Sequence, residues 1–122
     1  MSVVPGSYVL ALCRGEIDVY SSPTFKAALQ AYYNFVPEGK RLIVHLEMVT
    51  FIDSTGLNVL IGIYKEVLKP RDAVIVIVTT NLMMLRIFQN TGLTQCFAIF
   101  STIEDAAAGG PKRRDPLREH LE

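Results

Sequence analysis

Apolar positions change their spacing several times along this chain, and each change marks an element. The run YVLALCR, residues 8–14, is short, apolar and bounded by turn residues, so it reads as a strand. Residues 1–4 read as a short edge strand, with Pro5-Gly6 as the turn between the two. In SSPTFKAALQAYYNF the period lengthens, and Phe25, Ala28, Leu29 and Tyr32 share one helical face. Ser22 is the expected N-cap of that helix. Pro23 then falls at its first position, where a missing N–H costs nothing. Pro37-Glu38-Gly39 ends it, and RLIVHL, residues 41–46, reads as a buried strand.

A second helix is predicted over residues 55–68. Leu57, Leu60, Ile61, Tyr64 and Leu68 form its apolar stripe, Asn58, Lys65 and Lys69 lie off it, and Pro70 stops it. AVIVIV, residues 73–78, is apolar on both faces, as a central strand covered by helices must be. NLMMLRIFQNTG gives a third helix with Leu82, Leu85 and Phe88 on one side and Gly92 as its stop. CFAIF, residues 96–100, is the last strand. Thr102 caps a fourth helix over 103–108, with Asp105 three residues on.

The predicted order, β-β-α-β-α-β-α-β-α, implies an α/β fold. Its sheet is mixed and mostly parallel, with about five strands covered by about four helices and linked by right-handed crossovers. Residues 1–109 form one domain, and 110–122 read as a flexible charged C-terminal tail in which Lys112-Arg113-Arg114 is a solvated cluster.

Composition removes several function classes. Half of the 122 residues are hydrophobic, which excludes disorder over most of the length. Lysine plus arginine balances aspartate plus glutamate at 12 each, so no global charge draws the chain to nucleic acid or an anionic membrane. Cys13 and Cys96 lie far apart in apolar runs, which makes neither a disulfide framework nor a CxxC site and predicts two buried thiols in a reducing compartment. No leader peptide is read at the start, and no apolar run reaches the ~20 residues of a membrane span. The expectation is a soluble, cytoplasmic protein. There is no GxGxxG, P-loop or HExxH, and the two histidines, His45 and His120, gather no metal-ligating cluster. The chain is therefore expected to be no enzyme, with no cofactor and no metal.

The candidate chemistry lies where the strand-like VTFI meets the second helix, at Asp53-Ser54-Thr55-Gly56. An aspartic-protease loop is a poor match, because an extra residue separates Asp53-Ser54 from Gly56. A nucleophilic Ser54 would need a base, and His45, ending the strand that leads there, is the candidate. Two further readings stand on the residues alone. Asp53 or Ser54 can accept a hydrogen bond from a free N–H of the first helical turn, which is a cap. A hydroxyl in that turn also lies at the positive end of the helix dipole, where an added phosphate is favoured.

Three separated stretches, RGEIDVYSSPTFKAAL, VTFIDSTGLNVLIG and MLRIFQNTGLTQCFAIFSTIEDA, occur in an order and spacing that resembles the STAS-domain anti-sigma factor antagonists of bacteria, over residues 8–108. The resemblance implies a STAS fold and a partner-switching regulator of transcription. Such a protein binds an anti-sigma factor, itself a serine kinase, and so releases a sigma factor. Phosphorylation of the serine after the aspartate switches it off, and a phosphatase resets it. The matching residue is Ser54, with the adjacent Thr55 as the second candidate. The resemblance implies a partner surface that includes Asp18, Asp53, Ser54, Thr55, Gly56 and Asn58, and Asp18 is equally readable as a turn residue. Two positions depart from the pattern: His45-Leu46 stands where an acidic or amide residue precedes leucine, and Lys69-Pro70-Arg71 replaces a glycine pair. A STAS scaffold or ligand-binding module in a larger signalling or transport assembly, without phosphorylation, is the alternative. A carrier or hydrolase of nucleotide or lipid is a third reading, supported by nothing beyond the start of the second helix.

Overall fold

The structure, a computed structural model, describes residues 2–4, 8–36, 40–67 and 74–108. The expected turns at 5–6 and 37–39, the stops at 68–71 and the tail at 110–122 lie outside the described residues. Five strands form one sheet in the order β1-β2-β3-β4-β5: β1 Ser2–Val4, β2 Tyr8–Ile17, β3 Arg41–Ile52, β4 Val74–Val78 and β5 Ala98–Phe100. β1 runs antiparallel to β2, and every later pair is parallel. The helices are α1 Ser22–Asn34, α2 Ser54–Val67, α3 Leu82–Asn90 and α4 Ile103–Ala108.

Strands that add in sequence order with crossovers of one hand place the connecting helices on one face. The core has that arrangement. Val9, Ala11, Leu42, Val44, Ile75, Ile77 and Ile99 pack against Phe25, Leu29 and Tyr33 of α1, Leu57, Leu60 and Ile63 of α2, and Met84, Leu85 and Phe88 of α3. The other face is smaller, with Ile43, Val76, Val78 and Phe100 beneath Ala106 of α4. Both faces of β4 are thus buried, which is why its sequence is an unbroken apolar run.

Four expectations need correction. α1 begins one residue early, and Ser21, not Ser22, stands at its N-cap, without a side-chain cap hydrogen bond. The Ser21 hydroxyl is turned back into the preceding loop, where it donates to the Glu16 carbonyl and accepts from the Asp18 N–H. β3 is twelve residues long, twice the expected length. The buried positions of β3 change parity, from Val44 and Leu46 to Val49 and then Ile52, because β3 carries an extra residue at two places. Leu12 pairs with His45 but Arg14 with Met48, and Gly15 pairs with Val49 but Glu16 with Phe51. Gly15, at φ +82°, supplies the left-handed turn of backbone beside the second shift. The last strand is shortened to Ala98–Phe100, since residues 93–95 form a 3₁₀ turn after Gly92. Leu82 is exposed, and Met84 takes its expected place in the core.

Phe97, fully buried, ties the helices together through an edge-on contact with Tyr64, 5.4 Å between ring centroids, and a tilted one with Phe88. Phe97→Ala is expected to destabilise the fold by about 3–5 kcal/mol, by analogy with other buried aromatic truncations. Urea denaturation of the two proteins measures this.

Candidate functional site

β2 and β3 remain paired seven residues beyond the last β3–β4 pair, to Ile17 and Ile52. The β2–α1 loop and the start of α2 therefore emerge side by side. The Asp53 N–H donates to the Ile17 carbonyl at 3.1 Å, which joins the two strand ends. Asp53 is also the cap of α2. Its Oδ1 accepts from the N–H of Thr55 at 2.9 Å and of Gly56 at 3.2 Å, and its carbonyl takes the first helical bond, from Leu57. The Thr55 hydroxyl donates to the same carboxylate at 2.5 Å. These bonds hold the Asp53 carboxyl below its ordinary pKa. The Thr55 hydroxyl contributes most; burial opposes it as the next largest effect, and the N–H groups of Gly56, Thr55 and Val19 add to the lowering. The Val19 contact brings the β2–α1 loop onto the cap.

Gly56 makes this approach possible. A Cβ at that position would lie 2.6 Å from Cγ2 of Ile17 and 2.7 Å from Cγ1 of Ile52. Both contacts are to β-branched side chains with little freedom to turn away. The first turn of α2 thus rests directly on the two strand ends.

With capping assigned to Asp53 and the Thr55 hydroxyl tied to it, Ser54 is left exposed at the first residue of α2. No hydrogen bond engages its hydroxyl among the described residues. Asn58, one turn further along α2, is also exposed. Asp18 has a local task. Its carboxylate accepts from the N–H groups of Tyr20 at 2.9 Å and Ser21 at 3.0 Å, and its carbonyl accepts from Ser22. The loop it shapes presents Val19 and Tyr20 to solvent, Tyr20 at 89% exposure. The structure brings Asp18, Asp53, Ser54, Thr55, Gly56 and Asn58 to one end of the sheet.

His45 does not belong to that group. It alternates with Val44 and Leu46 of the helix-covered face, so its side chain lies on the α4 face, away from α2. Its buried Nδ1 has no hydrogen-bond partner among the described residues. The one candidate base for a nucleophilic Ser54 therefore lies away from the site, on the other face of the strand. Nearby, Glu47 accepts from the Thr80 N–H at 2.6 Å and the Thr80 hydroxyl at 2.7 Å, fastening β3 to the β4–α3 loop. Burial pushes the Glu47 pKa up, but the Thr80 bonds, a Thr79 hydrogen bond and the charge of His45 outweigh it and hold the pKa below its ordinary value. Burial pushes the Cys13 thiol up to about 12, so it keeps its proton at neutral pH and is no nucleophile. Among the described residues, no group of three His, Cys, Asp or Glu could hold a metal ion, and no helix is long and apolar enough to cross a membrane.

Sequence reasoning missed the apolar rim. Val19 and Tyr20 follow β2, Met48 and Phe51 lie near the end of β3, and Leu82 and Met83 open α3, all six exposed. All belong to the end of the sheet where the parallel strands terminate. Large apolar side chains left in water at one edge mark an interaction surface. The available signal was Val19, Tyr20, Met48 and Met83, large apolar residues in positions that no predicted core face needed.

A family model described as the STAS domain matches residues 3–106. The chain is 39% identical over 85 residues to the anti-sigma-B factor antagonist of Listeria monocytogenes, covering 70% of this chain and 72% of that protein. It is 33% identical over 90 residues to the anti-sigma-B factor antagonist of Bacillus subtilis, covering 74% and 79%. The crystal structure of an anti-sigma factor antagonist from Mycobacterium paratuberculosis aligns with a TM-score of 0.75 at 25% identity, over 88% of each chain.

Two variants test the junction. Gly56→Ala should cost about 1–3 kcal/mol, the usual penalty of overpacking, as read by chemical denaturation. Asp53 should contribute pH-dependent stability. Its folded pKa lies below its unfolded one, so the contribution is complete above the unfolded value and is lost as pH falls through the folded value. Thermal melts from pH 7 to 2 should show a smaller acid loss for Asp53→Asn than for wild type.

Proposed function

The chain belongs to the STAS domain family, and on that footing we propose that it is an anti-sigma factor antagonist switched off by phosphorylation of Ser54. The observation that carries the switch is the division of labour at the start of α2. Asp53 caps the helix and Thr55 braces the cap, so Ser54 offers a hydroxyl that no described residue engages. Unphosphorylated, the protein presents Ser54, Asp53, Thr55, Gly56, Asn58 and the Asp18 loop to a cytoplasmic anti-sigma factor. Binding frees a sigma factor for transcription. The anti-sigma factor is a serine kinase and transfers a phosphoryl group from ATP to the Ser54 oxygen, releasing ADP. This chain is substrate and effector, and it catalyses no step.

Magnitudes explain why such a switch leaves the fold alone. A phosphate brings about −1.5 to −2 charges. At an exposed helix N-terminus a negative charge gains only about 0.3–1 kcal/mol. Within a docked interface, repulsion by an acidic nucleotide site and lost hydration cost several kcal/mol. The modification therefore acts on the complex and barely on the monomer. Partner release follows, and a phosphatase restores the first state.

Incubation with the cognate kinase and Mg-ATP should add one phosphate. Peptide mapping should place it on Ser54. Mapping to Thr55, or no transfer from an active kinase, rejects the assignment. Ser54→Ala should remain as stable as wild type to within about 0.5 kcal/mol, since it removes no cap bond. It should still bind the partner but not be released by ATP. Ser54→Asp should fold and bind less tightly in titration calorimetry. Undiminished binding by both Ser54→Asp and the phosphorylated protein would exclude the charge mechanism.

A further inference from the structure

The first turns of α1 and α2 flank a cleft of about 290 Å³ lined by Lys26, Gln30, Thr55, Asn58 and Gly62, with Ile63 beneath. It begins at the site, because Thr55 braces the cap and Asn58 stands one turn beyond Ser54. Among the described residues, Lys26 is the only charged one that lines it. Lys26 is exposed and makes no ion pair or hydrogen bond among the described residues. Among the described residues the cleft thus carries one positive charge without a counter-charge, with amide and hydroxyl groups around it.

Gly62 is the second observation. A helix-interior glycine is less favourable than alanine, so it needs a reason. Neither of the usual ones holds. Its backbone lies outside the left-handed region, and a Cβ there would meet no atom within 4 Å. By contrast, Gly56 in the same helix is required by packing. What glycine does at position 62 is leave the cleft wall bare. A local rule broken with no gain to the fold points to function.

We infer that this α1–α2 cleft is a second docking point for the anti-sigma factor, and that it receives an acidic side chain of that partner on Lys26. The inference rests on the function proposed above. Charge complementarity selects a carboxylate, and continuity through Thr55 and Asn58 places it on the same interface as Ser54. The cleft gives the partner a hold one turn away from the hydroxyl it must phosphorylate. Lys26 and Ser54 then have separable roles: the first sets affinity and register, the second carries the switch.

Titration calorimetry of the full chain with its cognate anti-sigma factor, at 50 and 300 mM salt, tests this. Lys26→Glu should weaken binding at least tenfold at low salt, Lys26→Ala severalfold, and Lys26→Arg less than threefold. The difference between wild type and Lys26→Glu should shrink at high salt. Gly62→Ala should raise Tm and bind normally, whereas Gly62→Gln should keep the fold and bind at least tenfold less tightly. A glycine needed for structure would instead lower Tm in both variants. If wild type binds no anti-sigma factor, the functional reading fails. If wild type binds and Lys26→Glu and Gly62→Gln bind equally well, that reading stands and the cleft inference is overturned. It is also overturned if the variants lose binding of inorganic phosphate or GTP while partner affinity is unchanged, since the cleft would then be a small-molecule site.

Discussion

Asp53 joins the start of α2, the loop after β2 and the end of β2 in one place. It accepts from the first turn of α2 and from the loop after β2, while its own N–H is bonded to the last residue of that strand. A single residue thus fixes where α2 starts, how the β2–α1 loop lies and where the strands stop. The close seat of Gly56 on Ile17 and Ile52 provides the shape for this junction, and the hydrogen bonds provide its orientation. Hydrogen bonds to an ionised acceptor are stronger than neutral ones, so an exposed junction can still be well defined.

This arrangement separates folding from regulation. The cap is supplied by Asp53, which has no hydroxyl to offer a serine kinase, and the neighbouring Ser54 hydroxyl is left exposed. A serine serving as the cap would be modified at the oxygen that the helix start uses, so each switching event would alter the cap itself. In the switch proposed for Ser54 the charge would change at a point where the backbone tolerates it. The site is rigid on its inner side, through Asp53, Gly56 and Ile17, and unencumbered on its outer side. That is the combination a docking kinase requires, because a positioned hydroxyl reacts faster than one on a mobile loop.

The apolar rim and the polar cleft divide the surface around Ser54. Val19, Tyr20, Phe51, Leu82 and Met83 offer contact area with little direction, whereas Lys26, Thr55 and Asn58 offer charge and hydrogen bonding. Interfaces commonly draw affinity from the first kind of group, and register and partner choice from the second. Both kinds stand at one end of a parallel sheet because each βα connection begins there.

Much of this protein was decided by the sequence alone. Apolar periodicity set the order of elements, since a residue that must be buried repeats every two positions on a strand and every three or four on a helix. The Asp53–Gly56 stretch stood out as a candidate site, because small polar residues at a strand–helix join can serve only a few purposes, and the resemblance of three separated stretches to a known family chose among them. Periodicity failed where the sheet became irregular. The stretch 49–52 read as strand-like, but the faces taken by the final six residues of β3 were illegible, since two extra residues shift the parity of Leu46, Val49 and Ile52, and only pairing with β2 reveals which face each takes. The Ser21 hydroxyl was misassigned because its partner, Glu16, lies in another element. The choice between capping and display at Ser54 also belonged to tertiary structure. Asp53 and Ser54 are both able caps in isolation, and the bonds from Asp53 to Ile17 and Val19 turn its carboxylate, and not the serine, onto the helix. Local chemistry offered two candidates, and the meeting of distant strand ends selected one.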